Sequence, residues 1–292
     1  MRVTDGMRQA SVLRNLQDLS SRHADATQRA QSGMRVNQPS DDPSAAAELV
    51  KNRVRQAKNE SSQEAVNMAR GDLELAEGTL AEAGDLFGRL QEIAISGGNG
   101  ALGADERKYL ATEVGNIKAQ LVSLANTRGT KGFLFAGNKV DTTPFSSAGA
   151  FSGDDGEQQV DLGSGAPVSV GVSGALAFTA AGGRNVFADL DALQTALAAN
   201  DSGGATATLT GLEASRKQVM AVRSDSGLKI SRLDTTEDVL SLGKVAIAKR
   251  NEDVGGADPY AAYSDLVNLQ SALEQAVAVS RKVLDLGSLF RQ

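Results

Sequence analysis

The 292-residue chain has no cysteine, no tryptophan, one histidine and five prolines. Without cysteine it can form no disulfide, no thiolate metal site and no thiol nucleophile. With His23 as the only imidazole, a histidine-based zinc site or a Ser–His–Asp triad would rest on that one residue. Aromatic residues make up 4% of the chain. Large rings contribute most of the area in a thick core, so narrow Ala/Leu stripes between helices are expected instead. A net charge of −6 and a pI near 5.0 leave no basic face for neutralising phosphates, which argues against nucleic-acid binding. No stretch approaches the ~18 apolar residues of a membrane span. The N-terminus MRVTDGMRQA lacks the apolar core of a cleavable secretory signal.

Helical periodicity fills the space these absences leave. Val12, Leu16, Leu19, His23, Ala26 and Ala30 alternate at spacings of four and three, a heptad-like stripe that stops near Ser32-Gly33. Proline is then missing from Pro43 to Pro144, and Val66, Ala69, Leu73, Ala76, Leu80, Ala83, Phe87, Leu90 and Ala94 continue the pattern. Ala46, Val50, Val54 and Ala57 form an upstream stripe out of register with it, which predicts a stutter or a change of partner near Asn59–Ser62. After the loop Ser96–Gly100, Asp105 can cap a helix carrying Leu110, Val114, Ile117, Leu121 and Leu124, giving an antiparallel helical hairpin. The apolar run Phe133-Leu134-Phe135 between glycines predicts a strand or hairpin arm.

From Pro144 to Gly183 short alternating segments between Gly and Ser predict a small β-rich insertion. Asn185 can cap a helix bearing Val186, Leu190, Leu193 and Leu197, and a long polar helix is expected over 205–250. A last heptad stripe holds Leu266, Leu269, Leu273, Ala276, Ser280, Val283, Gly287 and Phe290. The fold class is therefore mainly α with a small β insertion: an elongated antiparallel helical bundle or coiled-coil rod formed by the two ends, with a β-rich outer domain. The expected domains are an N-terminal assembly segment (1–40), a discontinuous central helical rod (41–143 and 185–255), the insertion (144–184) and a C-terminal assembly helix (256–292).

The sequence VNQPSDDPS at 36–44 places two carboxylates between two prolines. Pro43 suits the first helical position, and Asp42 before it suits the N-cap, with Asp41 adding negative charge near the helix end. Ser40, Asp41, Asp42 and Pro43 are therefore read as a structural helix start. Nothing around them has the spacing of a calcium loop. The glycine-rich stretches GGNGALG, GTKGFLFAG and GSGAPVSVGVSG lack the G-x-x-x-x-G-K-[ST] phosphate loop and read as turns and strand ends. No catalytic residue, cofactor or metal is expected. The terminal stripes bury little area on their own, and isolated helices are marginal in water. Val12, Leu16, Leu19, Leu266, Leu269, Leu273, Val283 and Phe290 are therefore the expected self-assembly residues.

The motif VNQPSDDPSAAA at 36–47, preceded by Ala30-Gln31-Ser32-Gly33, resembles the N-terminal signature of the flagellin family. The start Met1-Arg2-Val3-Thr4, the run Leu124-Ala125-Asn126-Thr127 with Phe133-Leu134-Phe135-Ala136-Gly137, and the ending Ser280–Phe290 are similar to its junction-protein branch. Ser44 departs from the alanine common there, and Arg291-Gln292 extends past the usual apolar end. The likeness covers about 1–145 and 185–292 and leaves the middle unmatched. It implies a non-enzymatic extracellular part of the bacterial flagellum, exported by the type III apparatus without a cleaved signal. Such a protein would be an adaptor between hook and filament that assembles with copies of itself in a ring. The implied neighbours are hook-associated protein 1 and flagellin, with an export chaperone engaged before secretion and neither nucleic acid nor membrane as a partner. The rival readings are a filament-forming flagellin, a helical signalling rod and a carboxylate-based hydrolase.

Overall fold

The structure, a computed structural model, describes residues 2–161 and 167–289. Seven α-helices carry nearly all of it: α1 Arg2–Ser32, α2 Pro43–Gly97, α3 Ala104–Ala125, α4 Gly174–Phe178, α5 Val186–Ala198, α6 Ser202–Gly255 and α7 Pro259–Leu289. Two antiparallel hairpins supply the described strands, β1 Arg128–Gly129 with β2 Gly132–Phe133 and β3 Gln159–Asp161 with β4 Pro167–Ser169. The mainly helical class expected from the periodicity is what the chain adopts. Residues 59–241 form one compact unit, and residues 1–58 with 242–292 form another. Both unit boundaries fall inside long helices, α2 and α6.

The helix ends follow local chemistry. Gly33, at φ +66°, stops α1 in the left-handed conformation that glycine adopts without strain, and its N–H reaches the Arg29 carbonyl at 3.0 Å. Asn185 caps α5 by accepting the Ala188 N–H at 3.2 Å, and Asp201 caps α6 by accepting the Gly204 N–H at 2.8 Å. Asp258 before Pro259 repeats the Asp42-Pro43 start: its Oδ1 accepts the Tyr260 N–H at 2.8 Å. The expected cap Asp105 is not one. Gly103 holds the N-cap position of α3, and Asp105 lies with Glu106 in the first turn, where a carboxylate favours the positive helix end.

In the 59–241 unit the α2 row from Val66 to Ala94 is buried as its spacing predicts. Val114, Ile117 and Leu121 of α3 and Leu190, Leu193 and Leu197 of α5 complete the apolar layer. The α6 contribution is more polar, with Ser215, Gln218, Ser226 and Lys229 buried among Leu212, Val219 and Leu233. Gln218 is satisfied by the Ala177, Thr179 and Arg184 carbonyls and by the Arg184 N–H. Ion pairs tie α6 to α2, where Arg223 meets Glu77 at 2.6 Å and Arg70 meets Asp234 at 3.2 Å and Glu237. Lys118 of α3 reaches Asp191 of α5 at 2.6 Å.

The scarce aromatic residues are concentrated rather than diluted. Phe135, Phe145, Phe151, Phe178 and Phe187 form one cluster with ring centroids 5.0–6.1 Å apart. Narrow Ala/Leu stripes thus give way at one place to a ring-packed core. Asn126 holds the end of α3 against it, donating to the Phe145 carbonyl at 2.8 Å and accepting the Phe145 N–H at 2.9 Å.

Of the stutter or change of partner expected near Asn59–Ser62, the stutter is absent, whereas the boundary between the two compact units falls at Lys58/Asn59. The covered row of α2 runs without a break through Ala45, Leu49, Asn52, Gln56 and Asn59 into Val66, and Val50 and Val54 point away from it. The seam keeps its register with amides in place of aliphatic groups. Counting apolar residues therefore selected the wrong face.

Candidate assembly surface

In the unit formed by 1–58 and 242–292, α1 and α7 pack together and run antiparallel. At their base the Ala257 N–H donates to the Gly33 carbonyl at 2.9 Å and the Arg35 N–H to the Gly255 carbonyl at 2.7 Å. The Arg35 guanidinium links three elements, donating to Asp42 Oδ2 at 3.2 Å and to the Val254 carbonyl at 2.9 Å. Asp42 caps α2: its Oδ1 accepts the N–H groups of Ser44 at 3.1 Å and Ala45 at 3.0 Å. Asp41 does something else. Its Oδ2 accepts the N–H groups of Asn37 at 3.0 Å and Gln38 at 2.9 Å, closing the turn before the helix. The Gln38 and Asn37 N–H groups hold the Asp41 carboxyl below the usual carboxylate range, and the Ala45 N–H, the Ser44 hydroxyl and the Arg35 guanidinium do the same for Asp42.

Val12, Leu16 and Leu19 of α1 and Leu266, Leu269 and Leu273 of α7 share the seam between the two helices, and all six are half-buried. His23 lies in the same row, beside a groove lined by Leu266, Gln270, Leu273 and Glu274. Only Ala26 and Ser280 reach full burial in the two stripes among the residues with described side chains. Val283 and Phe290 lie outside those residues. A pair of helices can cover each seam from one side only, and Leu13, Val267, Val277 and Val279 remain exposed around it. No helix among the described residues is long and apolar enough to cross a membrane, and they contain no group of three or more metal-ligating side chains.

Charge is divided unevenly. Residues 59–241 carry 14 basic and 24 acidic side chains, net −10, whereas 1–58 with 242–292 carry 16 basic and 12 acidic, net +4. The overall −6 therefore hides a unit of net positive charge. Lys51, Arg53 and Lys58 are exposed on α2, around Val50 and Val54. The run KNRVRQAK at 51–58 was the visible signal, and averaging charge over the whole chain concealed it.

Comparison with known proteins bears on this surface. Residues 3–139 match the bacterial flagellin N-terminal helical region. The chain is 31% identical over 268 residues to flagellar hook-associated protein 3 of Escherichia coli (strain K12), covering 83% of this chain and 84% of that protein. The flagellar filament 33 kDa core protein of Treponema phagedenis is 30% identical, but over 125 residues, 42% of this chain and 39% of that one. The crystal structure of the flagellar junction protein FlgL from Legionella pneumophila superposes with a TM-score of 0.56 at 18% identity, over 71% of this chain and 99% of that one. At that identity the likeness establishes the fold.

Proposed function

Because the chain belongs to the family of flagellar hook-associated protein 3, we propose that it is a structural adaptor joining the flagellar hook to the flagellin filament. The half-covered seam between α1 and α7 carries this reading. Val12, Leu16, Leu19, Leu266, Leu269 and Leu273 retain exposed surface in a single copy, and stacking copies side by side would remove it from water. Each Å² of apolar area so removed contributes about 25 cal/mol, less the entropy of ordering the groups involved. Val283 and Phe290 continue the stripe in sequence and join the same set.

Copies assemble as a ring at the flagellum, with hook-associated protein 1 on the hook side and flagellin on the filament side. Before assembly the chain is exported, and a chaperone engages its C-terminal stripe. Its role is mechanical and draws on no cofactor. The match to a hook-associated protein, 31% identical over 83% of the chain, is longer and stronger than that to flagellin FlaB1 of Treponema pallidum, 27% over 70%, and favours the junction over the filament.

Cells lacking the protein should carry hooks without filaments while flagellin accumulates in the medium; normal filaments on such cells would refute the assignment. Removing residues 262–292 should leave residues 59–241 folded, as read by near-native circular dichroism, and abolish incorporation. Purified protein that grew alone into long filaments would instead place it among filament flagellins.

A further inference from the structure

Two ridges of α2 face solvent with nothing in the same copy to explain them. The first lies diametrically opposite the covered row: Val50 is 57% exposed and Val54 66%. Lys51 and Lys58 flank this apolar pair on one side and Arg53 on the other, given 100° per residue around the helix. None of the three cations makes an ion pair among the described residues. An exposed valine pair surrounded by unpaired cations is an unusual solvent face.

The second ridge lies on the part of α2 within the 59–241 unit. Gly71, Leu75, Gly78 and Glu82 fall along it, with Glu74 and Asp85 at its edge, and all six are exposed. Leu75 is 45% exposed. Interior glycines weaken a helix, so each needs a reason. Gly84 and Gly97 have one, because a Cβ there would meet Met220 at 2.3 Å or Leu197 at 2.2 Å. At Gly71, Gly78 and Gly88 a Cβ would meet nothing within 4 Å among the described residues; Gly88 lies off this ridge, and Gly71 and Gly78 lie on it. Two notches lie two turns apart on either side of an exposed leucine, bordered by carboxylates, and one copy has no use for them.

We infer that a second copy of this chain occupies this surface: the Val50–Val54 ridge of one copy docks against the Gly71–Gly78 ridge of the next. Charge selects that occupant. The first ridge belongs to a unit of net +4 and the second to a unit of net −10. Copies at the same level along α2 would set cation against cation, whereas copies offset along it bring Lys51, Arg53 and Lys58 beside Glu74, Glu82 and Asp85. Such a contact joins unlike surfaces. The missing side chains at Gly71 and Gly78 allow the backbones to approach while Val50, Val54 and Leu75 are covered. This contact lies outside the terminal helices, but it rests on the reading that copies assemble side by side.

The test uses the absence of cysteine. The variants V50C/L75C and V54C/L75C, made in the full chain, place the only two thiols roughly five turns or more apart on one helix, beyond the reach of a short bismaleimide within a copy. In flagella isolated from cells, at least one of the two should give covalent oligomers of this chain. In that background K51E/R53E/K58E should lower the yield more than tenfold, and so should E74K/E82K/D85K. Combining both sets in one chain should restore it. G78L should abolish cross-linking without lowering the melting temperature of the purified protein.

Flagella of normal length with no oligomer in either variant would overturn the surface and leave the junction assignment standing. So would cross-links to a different protein, or a charge exchange that restores nothing. Failure of the junction assignment would show itself separately, as filaments on cells that lack the chain.

Discussion

Asp42 accepts the N–H groups of Ser44 and Ala45, and Asp41 those of Asn37 and Gln38, so both turns depend on ionised carboxyls. Both are held below the usual carboxylate range in the folded chain. A depressed folded value adds stability above the unfolded value near 4, and that stability is lost as pH falls through the folded value. Amide exchange protection at residues 37, 38, 44 and 45 should therefore hold at neutral pH and fall below about pH 4. Asp42→Ala should expose Ser44 and Ala45 selectively at neutral pH, and Asp41→Ala should expose Asn37 and Gln38. Loss of all four amides in either variant would mean that the two carboxyls act as one device. The division of labour could not be read from the string S-D-D-P, which marks the helix start but not which N–H group each acid meets.

Among the elements, α2 shows what periodicity can and cannot reveal. From Val66 to Ala94 every third or fourth residue is apolar, and the whole row is buried. Upstream the seam is filled by Asn52, Gln56 and Asn59, while Val50 and Val54 repeat on the outer face. A pattern search weighs hydrophobicity and so follows the outer face. Continuity with the downstream row was the better guide. The terminal stripes were legible because their partners are apolar too. The aromatic cluster was not, since its members come together from sites spread over residues 135–187.

Two measurements belong at this scale. Phe178, fully buried against Phe135, Phe145 and Phe187, should cost about 3–5 kcal/mol when changed to Ala, read from the urea midpoint. Gly71→Ala and Gly78→Ala should each raise the stability of the isolated chain by roughly 0.5–1 kcal/mol, because nothing in one copy opposes the added methyl. A loss of stability there would mean that the glycines serve the single copy.

For the molecule as a whole, the net charge of −6 is the sum of a +4 unit and a −10 unit. Screening acts on exposed charges over about 8 Å at physiological ionic strength. The yield of cross-linked copies should fall as salt rises from 0.05 to ~0.5 M, whereas contacts carried by the apolar terminal stripes should persist. Equal loss of both would indicate a single cooperative interface.

The asparagines of the α2 seam have their own outcome. Among the described residues neither side-chain atom of Asn52 finds a hydrogen-bond partner, nor does Asn251 Oδ1. Each such group costs roughly 1–3 kcal/mol, which puts this stretch at the low end of local stability. Replacing Asn52 with Leu should stiffen it, visible as slower amide exchange at residues 49–56. A pull along the helix axis would find a weak point about three turns past the Asp42 cap, where opening the helices breaks few bonds worth keeping.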